Sequence, residues 1–202
     1  MELDKVLRLR RSVRQFNGKN LSWKHLTDIL EAATLAPSSG NIQNWVFIVV
    51  REKKNVETLT ELLPPEQRWA AKASVLVVVC SDTERVKQMY GARGEALYAV
   101  QNCAAAIQNM LLKAAELGVS SCWIGHFEEK DLAQTLALEK DIRPQALLAF
   151  GYGEVSEEKP REPLSSCVYF ETFGNKTRNV GLWPLGNTLE RGIKHIKAGL
   201  KK

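Results

Sequence analysis

The sequence has little of what builds metal centres or covalent staples. Its 202 residues include four cysteines and three histidines. Cys80, Cys103, Cys122 and Cys167 lie far apart, mostly in apolar surroundings, and no CxxC pair occurs. The histidines, His25, His126 and His195, are isolated. Metal-ligand spacing is therefore missing, no disulfide framework is expected at this cysteine density, and reduced, buried thiols are expected instead. No apolar run approaches the roughly 20 residues that cross a bilayer. The opening MELDKVLRLRRS is charged in its first turn and carries no apolar signal region, so the reading is a cytoplasmic protein without a membrane partner. A P-loop and a GxSxG elbow are both lacking. Gly151-Tyr152-Gly153 fails as a dinucleotide fingerprint, because Ser156 stands where the third glycine is required. Any redox chemistry would have to come from a bound cofactor.

What is present is a basic, well-patterned globular chain of net charge +5. Arg8, Arg10, Arg11 and Arg14 crowd one end; Arg191, Lys194, Lys197, Lys201 and Lys202 crowd the other. Aromatics are not interleaved with these cations, which argues against a single-strand nucleic-acid partner. The centrepiece is Gly94–Leu117, an Ala- and Leu-rich stretch without an internal breaker. It reads as one helix of about 36 Å. Glu95, Asn102, Asn109, Lys113 and Glu116 fall on one narrow stripe, and Gln101 with Gln108 on a second, so neighbours must cover most of the helix. It serves either as a core helix alone or as a core helix that also forms a dimer seam.

Around it the periodicity predicts helices over Leu3–Leu9 and Trp23–Leu35, the latter capped by Ser22. Shorter ones follow at Val56–Leu63 and Glu128–Leu136. Strands are expected at Trp45–Val50, Val75–Cys80, Val119–Ile124 and Ala146–Tyr152. After Pro160 the character changes: only Val168–Phe170 is strand-like, and Thr188–Leu200 patterns as a basic amphipathic helix. The organisation is one α+β domain over residues 1–202, with a C-terminal arm from about residue 162.

Three short constellations suggest a ligand. Arg10, Arg11, Ser12 and Arg14 offer guanidinium forks and a hydroxyl suited to one phosphate, which Lys159 and Arg161 can approach from afar; taken alone, the run is equally a solvated basic turn. Pro37-Ser38-Ser39-Gly40-Asn41 is a polar loop between a helix and a buried strand. Trp123-Ile124-Gly125 closes a strand where backbone N–H groups would face a flat ligand.

In combination these stretches resemble the FMN-dependent nitroreductase family. RRSVRQF, APSSGNIQNW running into WVFIVV, the long helix, WIG, FGYGE and KPR stand in that family's order and spacing, over residues 3 to 165. The resemblance implies a mixed central sheet between helical layers, an α-β-α sandwich. It also implies an intertwined homodimer with the long helix in the interface. The activity implied is an FMN-dependent oxidoreductase: NADH or NADPH reduces the flavin, and a nitroaromatic or quinone acceptor takes the electrons in a ping-pong cycle. Arg10, Arg11 and Ser12 match the phosphate-binding positions, with Lys159 and Arg161 as the second basic pair. Arg14 matches the basic residue at the flavin N1–O2 edge, where positive charge favours the reduced anion. Pro37, Ser38, Ser39 and Asn41 match the loop that crosses to the partner's flavin, and Ile124 and Gly125 match the backbone facing N5. No catalytic side chain and no metal are implied.

There are departures. Asn44 replaces the family's usual Pro, and Trp69 aligns with a lysine of larger relatives, leaving Arg14 to carry more of the edge charge. Nothing resembles the inserted lid helices of larger members. Two other readings remain: another flavin reaction on the same scaffold (dehydrogenation, dehalogenation or flavin breakdown), and a colourless basic nucleic-acid binder.

Overall fold

The computed structural model describes residues 1–155 and 160–176. The chain divides into two compact units, Met1–Glu157 and Glu158–Lys202. The division falls slightly before the arm expected from about residue 162.

The first unit is built on β2, Val75–Asp82. Its sequence VLVVVCSD is β-branched and apolar on both faces, as befits a strand covered on both sides. It pairs antiparallel with β1, Trp45–Val50, on one flank and with β4, Ile142–Gly151, on the other. β3, Ser120–Ile124, pairs antiparallel with β4, giving the order β1-β2-β4-β3. The parallel part of this mixed arrangement is a single bridge, Ser12 to Ser121, that adds the N-terminal segment beside β3.

Side-chain alternation sorts the core into two layers. Val75, Val77 and Val79 of β2, with Ala146, Leu148 and Phe150 of β4, pack against α2 (Trp23–Thr34) and α5 (Ala99–Glu116). Leu76, Val78 and Cys80, with Leu147 and Ala149, face the opposite way. They meet α3 (Lys53–Glu61), the 3-10 segment Pro65–Lys72 and α6 (Glu129–Thr135). α2 is held at its start by the Ser22 hydroxyl, which accepts from the His25 N–H, a cap worth about 1 kcal/mol. Its Leu26 and Ile29 are fully buried, each contributing roughly 1.5–3 kcal/mol. α1, Leu3–Leu9, buries only Val6.

Three differences from the sequence expectation have physical causes. The long helix is shorter than Gly94–Leu117: a π turn over Gly94–Tyr98 feeds α5, and Gly118, at φ 70, terminates it. A further helix, α4 (Thr83–Arg93), precedes it; its residues are mostly polar, so no apolar stripe announces it, and the Asp82 carboxylate caps it through the Arg85 N–H. α3 begins at Lys53 rather than at the first apolar residue, Val56.

In the second unit, Val168–Phe170 is not a strand. The short α7, Leu164–Cys167, precedes it, and Lys176 Nζ donates to the carbonyls of Ser165, Ser166 and Val168. These hydrogen bonds gather the segment into a compact turn. Thr188–Leu200 lies outside the described residues.

Candidate functional site

The basic run after α1 is held as an extended segment by main-chain pairing. The Val13 N–H donates to Ser121 O (2.9 Å), the Asn17 N–H to Tyr152 O (2.8 Å), and the Glu154 N–H to Gln15 O (3.1 Å). Phe16 bridges antiparallel to Gly153. A Cβ at Gly153 would sit 2.0 Å from Gln15 O, and one at Gly151 would sit 3.0 Å from the Phe16 ring. Gly151-Tyr152-Gly153 is thus a slot for residues 15 and 16 rather than a nucleotide loop, a purpose its sequence alone does not announce.

Val13 and Phe16 are buried in this segment, whereas Arg14 is exposed and Arg10, Arg11 and Ser12 are half-buried. An Arg11 Nη1–H donates to Arg8 O and Arg10 O, folding that guanidinium back over the end of α1. Arg10 and Arg11 line a cavity of about 180 Å³ together with Ser120 and Ser121 at the start of β3. The Cys122 thiol beside it is pushed up by burial; the Arg14 charge, a Ser12 hydrogen bond and the Arg10 charge oppose that shift. Ser12, Arg10 and Arg14 thus all bear on the Cys122 thiol of β3. The Arg10 guanidinium and the Ser12 hydroxyl suit a phosphate monoester.

Arg14 has a neighbour on its exposed side. Its guanidinium lies 5.9 Å from the centre of the Trp69 ring, and Trp69 stacks on Phe16 at 6.1 Å with 28° between the planes. The indole supplies a cation–π surface for the Arg14 guanidinium.

The Pro37–Asn41 loop is shaped by a chain of side-chain amides. Asn102 on α5 accepts at Oδ1 from the Ser39 N–H (3.0 Å) and the Ser39 hydroxyl (3.2 Å). Its Nδ2–H donates to Asn44 Oδ1 (2.7 Å), and Asn44 Nδ2–H donates to Ser81 Oγ on β2 (2.9 Å). Asn44, Ser81 and Asn102 are all buried, so each amide end needs its partner. Ser38 Oγ accepts from the Gln43 N–H at 3.0 Å. Gly40, at φ 54, has no room for a Cβ, which would lie 2.3 Å from the Tyr90 hydroxyl oxygen. Ile42 anchors the loop in a small cluster with Val86 and Ala99. Pro37 and Asn41 remain exposed. Neither Asn102 nor Asn44 stood out as a site residue in the sequence. The only signal was that Asn102 lies on the polar stripe of the long helix, a stripe that faces inward here: Asn109 Nδ2–H likewise donates to Ala32 O on α2 (3.1 Å).

Ile124 is buried at the end of β3, Gly125 is exposed just beyond it, and Trp123 is 40% exposed on the opposite side of the strand. The parallel bridge thus unites the Arg10–Arg14 run with the Ile124–Gly125 strand. The Ser38–Asn41 loop does not join them within one chain. It enters β1, at the far edge of the sheet from β3, and three strand spacings are about 14 Å. Arg161 is exposed in the second unit, and Lys159 lies outside the described residues. Among the described residues no cluster of three or more His, Cys, Asp or Glu side chains is arranged to hold a metal ion. No described helix is long and apolar enough to cross a membrane.

A family model described as "Nitroreductase family" matches residues 7–65 and 56–152. This chain belongs to the nitroreductase family. A "Putative NADH dehydrogenase/NAD(P)H nitroreductase" of Archaeoglobus fulgidus is 34% identical over 152 residues, spanning 73% of this chain and 83% of the relative. An "FMN reductase [NAD(P)H]" of Bacillus subtilis is 27% identical over 189 residues, spanning 87% and 76%. A crystal structure of a nitroreductase family protein from Clostridium difficile 630 is 26% identical, with a TM-score of 0.74 over 85% of this chain and 99% of that one. In this nitroreductase-family chain, Asn44 ties the loop to both α5 and β2.

Proposed function

We propose that this chain is an FMN-dependent NAD(P)H oxidoreductase that reduces nitroaromatic or quinone-type acceptors. The observation that carries the reading is the Ser12–Ser121 bridge, which lays Arg10, Arg11, Ser12 and Arg14 along the strand that ends in Ile124-Gly125. Family membership supplies the cofactor class. Bound there, FMN would supply two-electron redox chemistry between a nicotinamide donor and an acceptor, the two substrates using one site in turn.

The protein's part is to bind, orient and charge that site. Arg10, Arg11 and Ser12, with Lys159 and Arg161, would hold the FMN phosphate. Arg14, kept over the Trp69 face, would set positive charge at the N1–O2 edge, where negative charge develops on reduction. The main chain at Ile124 and Gly125 would face N5. No side-chain acid or base is assigned, which leaves the chemistry to the cofactor.

The distance between the sheet edges supports a homodimer, in which Pro37, Ser38, Ser39 and Asn41 of one subunit complete the site of the other. α5 offers a matching surface: Val100, Gln101 and Gln108 are exposed, and Ala104, Ala105 and Leu112 are half-buried. Met89 on α4 adds 58% of its surface. A polar-dotted apolar face of this kind suits an interface between subunits.

The test is an anaerobic visible spectrum of the purified protein, before and after NADH and then NADPH. Bleaching of a flavin band, followed by recovery on adding a quinone or nitroaromatic, is expected. A colourless protein that fails to take up FMN would overturn the reading. A flavin that neither donor reduces would move it to another flavin reaction.

A further inference from the structure

Beside Phe16, three segments distant in sequence close around a cleft of about 510 Å³. The Asn17–Asn20 turn, the start of α3 and the end of the 3-10 segment supply its walls, and Arg51, Lys53 and Lys72 its charge. Among the described residues that line it there is no carboxylate. Three cations around one concave space repel each other unless an anion joins them.

The cleft is partly organised in advance. Arg51 Nη2–H donates to Leu21 O (2.5 Å), and its guanidinium stacks on the Trp23 ring at 4.4 Å. Arg51 Nη1 is buried with no hydrogen-bond partner, and no described carboxylate pairs with this side chain. Lys53 reaches Glu57 at 3.9 Å, but both are exposed, and such a pair neutralises little. The Asn17 carboxamide has its oxygen committed to the Lys19 N–H at 2.9 Å, which leaves its NH₂ end as a donor. Lys53 is also the first residue of α3, where the N-cap Glu52 side chain makes no capping bond, so the positive end of the helix dipole adds to the field.

We propose that this cleft is a second anion site that takes the phosphate or diphosphate group of a nucleotide-sized molecule. The donor set is guanidinium, ammonium and amide, which matches phosphate oxygens. The volume exceeds what a lone phosphate fills and lies in the range of small-molecule pockets. The phosphate has two possible sources: the nucleotide part of the electron donor, or a free nucleotide.

The experiment is isothermal titration of ADP into the full chain saturated with FMN, comparing wild type, K53Q/K72Q and R10Q/R11Q. Saturable binding is expected in wild type and R10Q/R11Q. In K53Q/K72Q it should weaken by about tenfold or more with the melting temperature unchanged, since both lysines are exposed. No saturable binding in wild type, equal affinity in K53Q/K72Q, or loss only in R10Q/R11Q would each overturn the site. This titration does not depend on the proposed redox reaction; the next measurement does. If the K53Q/K72Q change raises KM for NADH and NADPH alike, the donor's diphosphate occupies the cleft. A rise for NADPH alone assigns the 2′-phosphate. Unchanged KM for both, with ADP binding lost, assigns a free nucleotide.

Discussion

Replacing Asn102 with alanine removes three hydrogen bonds at once: two accepted from Ser39 and one donated to Asn44. Asn102 is 4% exposed and Asn44 1%, so water has poor access to the groups left behind. At about 1 kcal/mol per bond the loss is roughly 3 kcal/mol, more if the Asn44 carbonyl stays unpaired. For a protein of this size that lowers Tm by about 6–12 °C. Asn102→Asp separates the contributions: its carboxylate still accepts from Ser39 but cannot donate to Asn44. Urea unfolding of wild type, N102A, N102D, N44A and N44A/N102A gives the cycle. A coupling of about 1 kcal/mol between positions 44 and 102 is expected. If N102A falls within about 0.5 kcal/mol of wild type, the amide chain does not hold the loop, and the reasoning fails.

Further outcomes follow from other parts of the site. R10Q/R11Q should weaken FMN binding by about a hundredfold in a fluorescence titration; unchanged affinity would remove these residues from the phosphate cradle. Arg14→Gln should lower the midpoint potential of bound FMN, measured by dye equilibration, and Trp69→Ala should move it the same way to a smaller extent by freeing the Arg14 side chain. Val100→Glu, on the exposed face of α5, should convert a dimer into a monomer by size exclusion and cost FMN affinity; a colourless dimer or a fully loaded monomer would refute the shared site. Burial pushes the Cys80 and Cys103 thiols up to about 12 from 9.0. The folded chain then keeps protons that the unfolded chain loses above pH 9, so stability is flat below that pH. Above it, stability should fall by up to about 1.4 kcal/mol per pH unit for each thiol, and Cys80→Ala should make the slope shallower by that residue's share.

Much of the fold was legible in the chain. The four strands declared themselves through apolar runs, Ser22 marked the start of α2, and the family resemblance carried by RRSVR and PSSGN implied FMN as the cofactor. What escaped has a common physical reason. α4 is stabilised by the Asp82 cap and by a few contacts around Val86, and its polar composition shows no period. Asn44 and Asn102 are 58 residues apart, and a buried bond between side chains that distant leaves no local pattern. Gly151 and Gly153 were visible, but what they admit, the Phe16 ring at one and the backbone of residues 15 and 16 at the other, comes from a distant stretch of chain. The inward turn of the Asn102–Asn109 stripe was hidden because a polar stripe ordinarily marks the wet side of a helix.

The position of the Ser38–Asn41 loop on one edge of the sheet and the Arg10–Arg14 run on the other has a consequence for how the proposed dimer behaves as a population. A subunit damaged only in its loop and one damaged only in its basic run each spoil both sites when paired with their own kind. Paired with each other, they place both injuries in one site and leave the second whole. Mixing two inactive proteins would thus restore flavin retention and activity. In the proposed dimer the same geometry would make cofactor retention depend on concentration, because dilution that separates the subunits would open both sites at once.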